Sequence, residues 1–189
     1  MGDDYYNIWD YKFVNKGTGR NYGVEITLEK FFDKRYYFLL TASLYESKYK
    51  GYDKIERNTR FAGNYALNGL FGYEWKIGTK KLLSVNTKAS YAGGKRYVPL
   101  QVANTYTGHD YIYDYSHAYT KRADDYFRLD LNVNMKNNYK HCSFEWFFEV
   151  TNITNHKNIW MIYYDVDRGK QMNIYQYGLM PGGGCRLYF

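Results

Sequence analysis

The sequence predicts an all-β chain: one antiparallel transmembrane β-barrel segment of about eight strands, covering residues 1–189 as a single unit. Three observations point there. Aromatic residues make up 21% of the chain, with 25 Tyr and 11 Phe, yet its mean hydropathy is −0.68. Rings that abundant in so polar a chain need a place other than a compact core. Membrane barrels supply one, because their strands alternate lipid-facing and lumen-facing residues between aromatic girdles. The second observation is repeated period-two alternation, and the third is the rhythm of the connections. On composition alone a Tyr-rich soluble β-sandwich or carbohydrate-binding module fits as well.

Taken in chain order, the predicted strands are 5–14, 20–32, 36–49, 58–77, 81–92, 126–136, 143–154 and 181–189. In 20–32, Tyr22, Val24, Ile26 and Leu28 oppose Glu25, Thr27 and Glu29. The stretch Tyr36–Tyr45 is apolar on both faces. Tyr65, Leu67, Phe71, Tyr73, Trp75 and Ile77 share a face against Asn64, Asn68, Glu74 and Lys76, and Leu83, Val85, Thr87, Ala89 and Tyr91 alternate with Ser84, Asn86, Lys88 and Ser90. The most regular run is Tyr126–Lys136. There Phe127, Leu129, Leu131, Val133 and Met135 interleave with Arg128, Asp130, Asn132, Asn134 and Lys136, at the length a tilted spanning strand needs, about 9–11 residues. Phe144, Trp146, Phe148 and Val150 oppose Glu145 and Glu149. Only two Pro occur, which suits strands that donate hydrogen bonds along their length. No segment carries a helical period or helix caps.

The connections alternate. Working back from the end, 155–180 is long, 137–142 short, 93–125 long, 78–80 tight, 50–57 moderate and 33–35 tight; 15–19 breaks the pattern by being short. Outer-membrane barrels join strands by short turns at one end and long loops at the other. Cys185, Leu187 and Phe189 fall on one face of the last strand, and a terminal aromatic there resembles the signature read by the outer-membrane assembly machinery.

Charge and motif content narrow the function classes. The net charge of +7 is spread out rather than clustered beside stacking aromatics, so nucleic acid is not an expected partner. Cys142 and Cys185 have no metal-site spacing and read as free thiols. No apolar run reaches the length of a membrane helix. The opening Met1-Gly2-Asp3-Asp4 is not a secretory signal, which for an outer-membrane protein implies an N-terminus far upstream or an excised piece. His109, His117, His141 and His156 fall in predicted loops or turns without catalytic or ligand spacing. Asp124-Asp125 and the Asp165/Asp167 pair read as surface carboxylates, and Gly182-Gly183-Gly184 lacks the Lys and helix of a phosphate loop. The chain is therefore read as a non-enzyme, with no catalytic, cofactor or metal site and with its ligand-binding residues unassigned. Loops 93–125 and 155–180 hold the best candidates for ligand contact, namely Tyr97, Tyr106, Tyr111, Tyr113, Tyr115, Tyr119, Trp160, Tyr163, Tyr164 and Tyr175. These rings also suit an outer girdle. The expected lumen-facing charges are Glu25, Glu29, Glu74, Lys76, Lys88, Arg128, Asp130, Lys136, Glu145 and Glu149, which a hydrated interior accommodates.

Four segments also carry a family resemblance. The run Asn15–Lys30 (Asn-Lys-Gly-Thr-Gly-Arg-Asn-Tyr-Gly-Val-Glu-Ile-Thr-Leu-Glu-Lys) resembles a strand of TonB-dependent receptors that carry a carboxypeptidase-regulatory-like N-terminal domain. Tyr91–Tyr97, Asp125–Leu131 and the Asn-rich stretch Glu149–Asn158 are similar to later segments of the same family, in the same order. The resemblance spans essentially the whole chain. It implies a barrel of about 22 strands around a plugged lumen and energy-coupled uptake of a siderophore, glycan or similar nutrient across the outer membrane. The plug of such a receptor meets the TonB energy-coupling protein through an N-terminal box. Neither plug nor box occurs here, so the resemblance implies a fragment matching about the last third of the barrel. A free-standing small barrel and a soluble Tyr-rich domain that binds polysaccharide are the competing expectations.

Overall fold

A computed structural model describes residues 16–105, 108–165 and 167–189. In chain order its strands are β1 (Thr18–Asp33), β2 (Tyr36–Lys50), β3 (Glu56–Asn58), β4 (Tyr65–Ile77), β5 (Lys81–Ala92), β6 (Arg96–Tyr97), β7 (Leu100–Thr105), β8 (Gly108–Tyr113), β9 (Lys121–Arg122), β10 (Tyr126–Asn138), β11 (Ser143–Thr151), β12 (Ile159–Asp165), β13 (Lys170–Tyr175) and β14 (Met180–Tyr188). One 3-10 turn, Tyr115–His117, lies between β8 and β9. The chain is all-β, as its periodicity predicts.

The main sheet is a meander, β1-β2-β4-β5-β10-β11-β14, with β3 beside the end of β2. Every neighbouring pair is antiparallel. Three joints at one end are tight: Lys34-Arg35, the segment 78–80 and the segment 139–142. At the other end the chain leaves for long excursions through 51–64, 93–125 and 152–179. The sheet is open among the described residues, since β1 and β14 each pair on one side only. Counting along the meander, β1 and β14 run in the same direction.

Paired residues of an antiparallel ladder project from the same face, so the register carries one face across all seven strands. Leu28, Leu40, Gly69, Ala89 and Leu129 form one row. Tyr36, Tyr73, Val85, Val133, Phe148 and Gly183 form another. Trp75, Leu83, Met135, Trp146 and Cys185 form a third. This face is apolar from edge to edge and uncovered, with Val24, Ile26 and Leu44 at 67%, 68% and 66% exposure. The register also settles Tyr36–Tyr45: Tyr36, Phe38, Leu40, Ala42 and Leu44 join the apolar face, and Tyr37, Leu39, Thr41, Ser43 and Tyr45 the other. The sandwich alternative requires Leu129, Leu131 and Val133 in a two-layer core. They are only half-buried, and the described residues place no second layer over the sheet.

Several predicted boundaries need correction. The strand expected at 58–77 is two elements, because the chain turns through 59–64 and Asn64 adopts φ +74°. The strand expected at 143–154 stops at Thr151, where Asn152 enters the left-handed region with φ +52°. Loops 93–125 and 155–180 contain short ladders, β6–β9, β7–β8 and β12–β13. Gly182–Gly184 lie inside β14 rather than leading into it, and Gly184 sits beneath the Phe147 ring. Predicted strand 5–14 and the start of the 15–19 connection fall outside the described residues.

Candidate functional site

The long excursions meet at one end of the sheet, in two polar fastenings that need particular residue types. In the first, the β4 entry, the β5 exit and the β10 entry cross in contact. A Cβ on Gly93 would stand 1.8 Å from the Gly63 carbonyl oxygen, and one on Gly94 would stand 2.0 Å from that of Ala123; only glycine permits so close an approach. Asp125 closes the crossing. Its carboxylate accepts hydrogen bonds from the Tyr65 hydroxyl, from the Tyr91 hydroxyl at 2.9 Å and from the Gly94 N–H at 3.3 Å. It also pairs with Arg122 at 2.9 Å. The Tyr65 hydroxyl, followed by that of Tyr91, holds the Asp125 carboxyl below its ordinary value against the opposing effect of burial. Arg96 reaches back to the Ala62 carbonyl at 2.9 Å and to Asn64 at 3.1 Å.

The second fastening is the Asn-rich stretch after β11. Asn152 and Asn158, at 1% and 3% exposure, are the buried polar residues among those described. The Asn152 side chain donates to the His156 carbonyl at 3.0 Å and accepts from the His156 N–H at 3.1 Å. Its own N–H donates to Asp130 at 2.9 Å. The Asn158 amide donates to the Phe127 carbonyl at 2.8 Å and accepts from the Phe127 N–H at 2.9 Å. A side chain thus takes the place of a strand residue and extends the β10 ladder past the point where β11 turns away. Asn155 accepts from the Leu179 N–H at 3.0 Å and ties down the approach to β14. Two of the segments that carry the family resemblance, Tyr91–Tyr97 and Glu149–Asn158, supply residues of these fastenings.

Between these fastenings lies a cavity of about 730 Å³. All three excursions contribute to its walls. Of the loop rings singled out in the sequence, it brings together Tyr97, Tyr113, Tyr115, Tyr119 and Trp160. Tyr163, Tyr164 and Tyr175 do not line it, and Tyr164 is buried. Tyr106 lies outside the described residues, as does the side chain of Tyr111. Sequence reading misses Arg60 and Phe61, which sit in the turn where a continuous strand is expected, Tyr45 within β2 and Tyr126 at the start of β10. The polar members of the wall include Arg60, Lys95, Arg96, Asp124 and Gln176. An aromatic wall in which cations outnumber the carboxylate suits a neutral or anionic organic ligand.

The opposite face of the sheet is the charged one, and the register places all ten predicted lumen residues on it. Arg128 grips Asp130 with a fork of 2.6 and 2.9 Å contacts, and Lys88 stands across from Asp130 in the ladder. Glu145 accepts from the Tyr188 hydroxyl at 2.9 Å and pairs with Arg186 at 3.5 Å. Lys136 lies over the Tyr188 ring at 5.0 Å, while Glu25 accepts from Ser43 at 2.8 Å.

The remaining candidates are held in local contacts. His117 pairs with Asp114 at 2.7 Å, and hydrogen bonds from Ser116 and then His117 draw the Asp114 carboxyl down to about 2. His156 is hydrogen-bonded to Asn158 at 3.1 Å. His109 lies in β8 rather than in a loop. Asp165 is engaged by the N–H of Arg168 at 3.1 Å, and both cysteines are free. No group of three or more metal-ligating side chains occurs among the described residues. No family model, no curated protein and no solved structure matches the chain.

Proposed function

We propose that the chain forms the C-terminal strands of the barrel of a TonB-dependent outer-membrane receptor, and that it contributes wall and loops to energy-coupled nutrient uptake without being an enzyme. The observation that carries this reading is the two-faced, single-layer sheet: one face continuously apolar and exposed, the other charged. In water such a face would be the largest liability of the molecule; in a bilayer it is the required surface. Dimensions support it. The 13 residues of β4 extend roughly 43 Å at about 3.3 Å per residue, which becomes roughly 33 Å of height at a tilt of about 40°. A hydrocarbon layer of about 30 Å matches that height. Aromatic rows border the apolar band at both ends: Tyr22, Tyr65, Tyr91 and Phe127 toward the excursions, and Tyr73, Trp75, Phe144 and Trp146 toward the tight turns.

Among the described residues β1 and β14 each leave one edge unpaired, and further strands of a larger barrel would cover both. No strand edge survives unpaired in hydrocarbon. Because β1 and β14 run the same way, an all-antiparallel closure needs an odd number of further strands between them. On this reading the charged face looks into the lumen toward the plug, and the plug engages TonB. The loop cavity lies at the mouth, where a siderophore, glycan or similar ligand passes.

Tryptophan quenching tests the reading. Single-Trp variants of the full-length protein in bilayers with brominated acyl chains should lose emission strongly from Trp75 and Trp146 and little from Trp160. Recovery of the protein from cells as a water-soluble species, with no quenching from any of the three, would overturn it.

A further inference from the structure

We propose that the apolar face carries a binding site for one phosphate-bearing membrane lipid, with an acyl chain in a furrow over Gly69 and the headgroup on Arg122. The inference rests on the membrane reading above and adds a specific ligand to it. The furrow, about 310 Å³, is sunk into the apolar face where its side chains are smallest: Ala42, Gly69 and Ala89 floor it between Leu28, Leu40 and Tyr91. The rows on either side carry larger side chains: Leu67, Tyr91 and Phe127 on one, Phe38, Phe71 and Leu131 on the other.

Charge lies at one end of this trough. Tyr91 lines the furrow and donates its hydroxyl to Asp125 at 2.9 Å, and Asp125 pairs with Arg122 at 2.9 Å. The Arg122 guanidinium also stands over the Tyr65 ring at 5.6 Å, which places it on the apolar side of the sheet. It is only half used. Its contacts to Asp125 and to the Tyr65 hydroxyl both run through one terminal nitrogen, so Nε and the other Nη have no partner among the described residues. Its side chain keeps 35% of its accessible surface. A planar guanidinium with open N–H groups is a ready donor to phosphate oxygens. An apolar trough that ends at Tyr91, whose hydroxyl meets the Asp125–Arg122 pair, has the sequence of chemistries of a phosphate-bearing amphiphile, tail then head. A free anion would leave the trough empty, and a neutral lipid would leave the guanidinium unused.

Native mass spectrometry of the full-length protein, delipidated in non-ionic detergent and titrated with phosphatidylglycerol or with diacylglycerol, tests the site. The wild-type protein should retain one phosphatidylglycerol in preference to diacylglycerol. Ala89→Leu, which fills the furrow, should weaken retention of both lipids at least tenfold, and Ala42→Val offers a smaller filling should the first variant fold poorly. Arg122→Gln should abolish the preference for the phosphate-bearing lipid while leaving the furrow able to hold a chain. Val133→Leu, on the same face but outside the furrow, should bind as wild type. Equal retention of both lipids by wild type, the filled variants and Arg122→Gln would overturn the site while leaving the barrel reading intact. Purification as a soluble protein that needs no detergent would remove that reading itself.

Discussion

The sheet and the end where its long excursions gather are built on opposite principles. Along the sheet the described residues hide almost nothing: apolar side chains stand exposed on one face and charges on the other. The buried residues collect at the excursion end, where Ala62, Val98, Ala118, Tyr164, Asn152 and Asn158 lie. That end has close backbone crossings and buried polar groups that are paired, Arg57 Nε excepted among the described residues. The sheet holds its shape through ladder hydrogen bonds and cross-strand pairs, and the described residues leave its apolar face uncovered. On the membrane reading proposed above, the difference gives each region its own solvent, lipid for one and water for the other.

The largest expected effect breaks the comparison on the sheet. Leu131→Arg puts a charge in the middle of the apolar face, between Thr87 and Val150. In a bilayer it should destabilise the protein by about 2–4 kcal/mol. Asn132→Arg, one residue on and facing Asn86 and Glu149, loses the hydrogen bonds its side chain accepts from Asn86 and Asn134 and should cost only about 1 kcal/mol. Urea unfolding in lipid vesicles measures both. Similar small effects from the two variants would mean that the apolar face does not meet hydrocarbon.

At the excursion end the matching change is steric. Gly93→Ala drives a methyl into the Gly63 carbonyl, and separating the two crossing strands should cost about 1–3 kcal/mol, in the range of overpacked cores. The damage should be local: faster protease cleavage within 93–125 and an unchanged β10–β14 ladder by amide exchange. The Asp125 fastening adds a pH dependence. Its carboxyl is held below its ordinary value by the Tyr65 hydroxyl first and Tyr91 next. The stabilisation is therefore fully present above the unfolded-state value, near 3.8, and is lost as pH falls through the lower folded value. Protease sensitivity of 93–125 should rise on acidification below about pH 4, and Asp125→Asn should flatten that response. A response unchanged in the variant would assign the acid sensitivity to another carboxylate.

The two regions were also unequally legible. Period-two alternation is local information, so β5 comes out at 81–92 as read, and β10 and β2 within a residue or two at their ends. All ten charges assigned to one face from alternation alone share that face in the register. The excursion end depends on contacts between residues far apart in sequence. Nothing in Ala62-Gly63-Asn64 announces that Gly93 will lie against it, so a single strand reads through 58–77. Asn158 looks like a loop residue until Phe127 is beside it. One signal was available: Asp167-Arg168-Gly169, with Gly169 at φ +61°, is a turn between two alternating runs and marks the β12–β13 hairpin.

The smallest predicted effect lies at the opposite, tight-turn end and sharpens the contrast by improving a joint. β1 and β2 are connected by two residues, Lys34 and Arg35, with φ +50° and +76°. A two-residue hairpin with both positions left-handed is the turn type that favours Asn-Gly, because side chains with a Cβ are disfavoured there by about 1–2 kcal/mol. Neither Lys nor Arg relieves that strain. Lys34→Asn with Arg35→Gly should therefore stabilise the hairpin by about 1 kcal/mol, part of the strain being offset by the added freedom of Gly in the unfolded chain. The gain should appear as a higher urea midpoint and slower amide exchange along β1–β2, while protease cleavage of 93–125 at the far end stays unchanged. A destabilised double variant would mean that Lys34 and Arg35 make an interaction there worth more than the strain they carry.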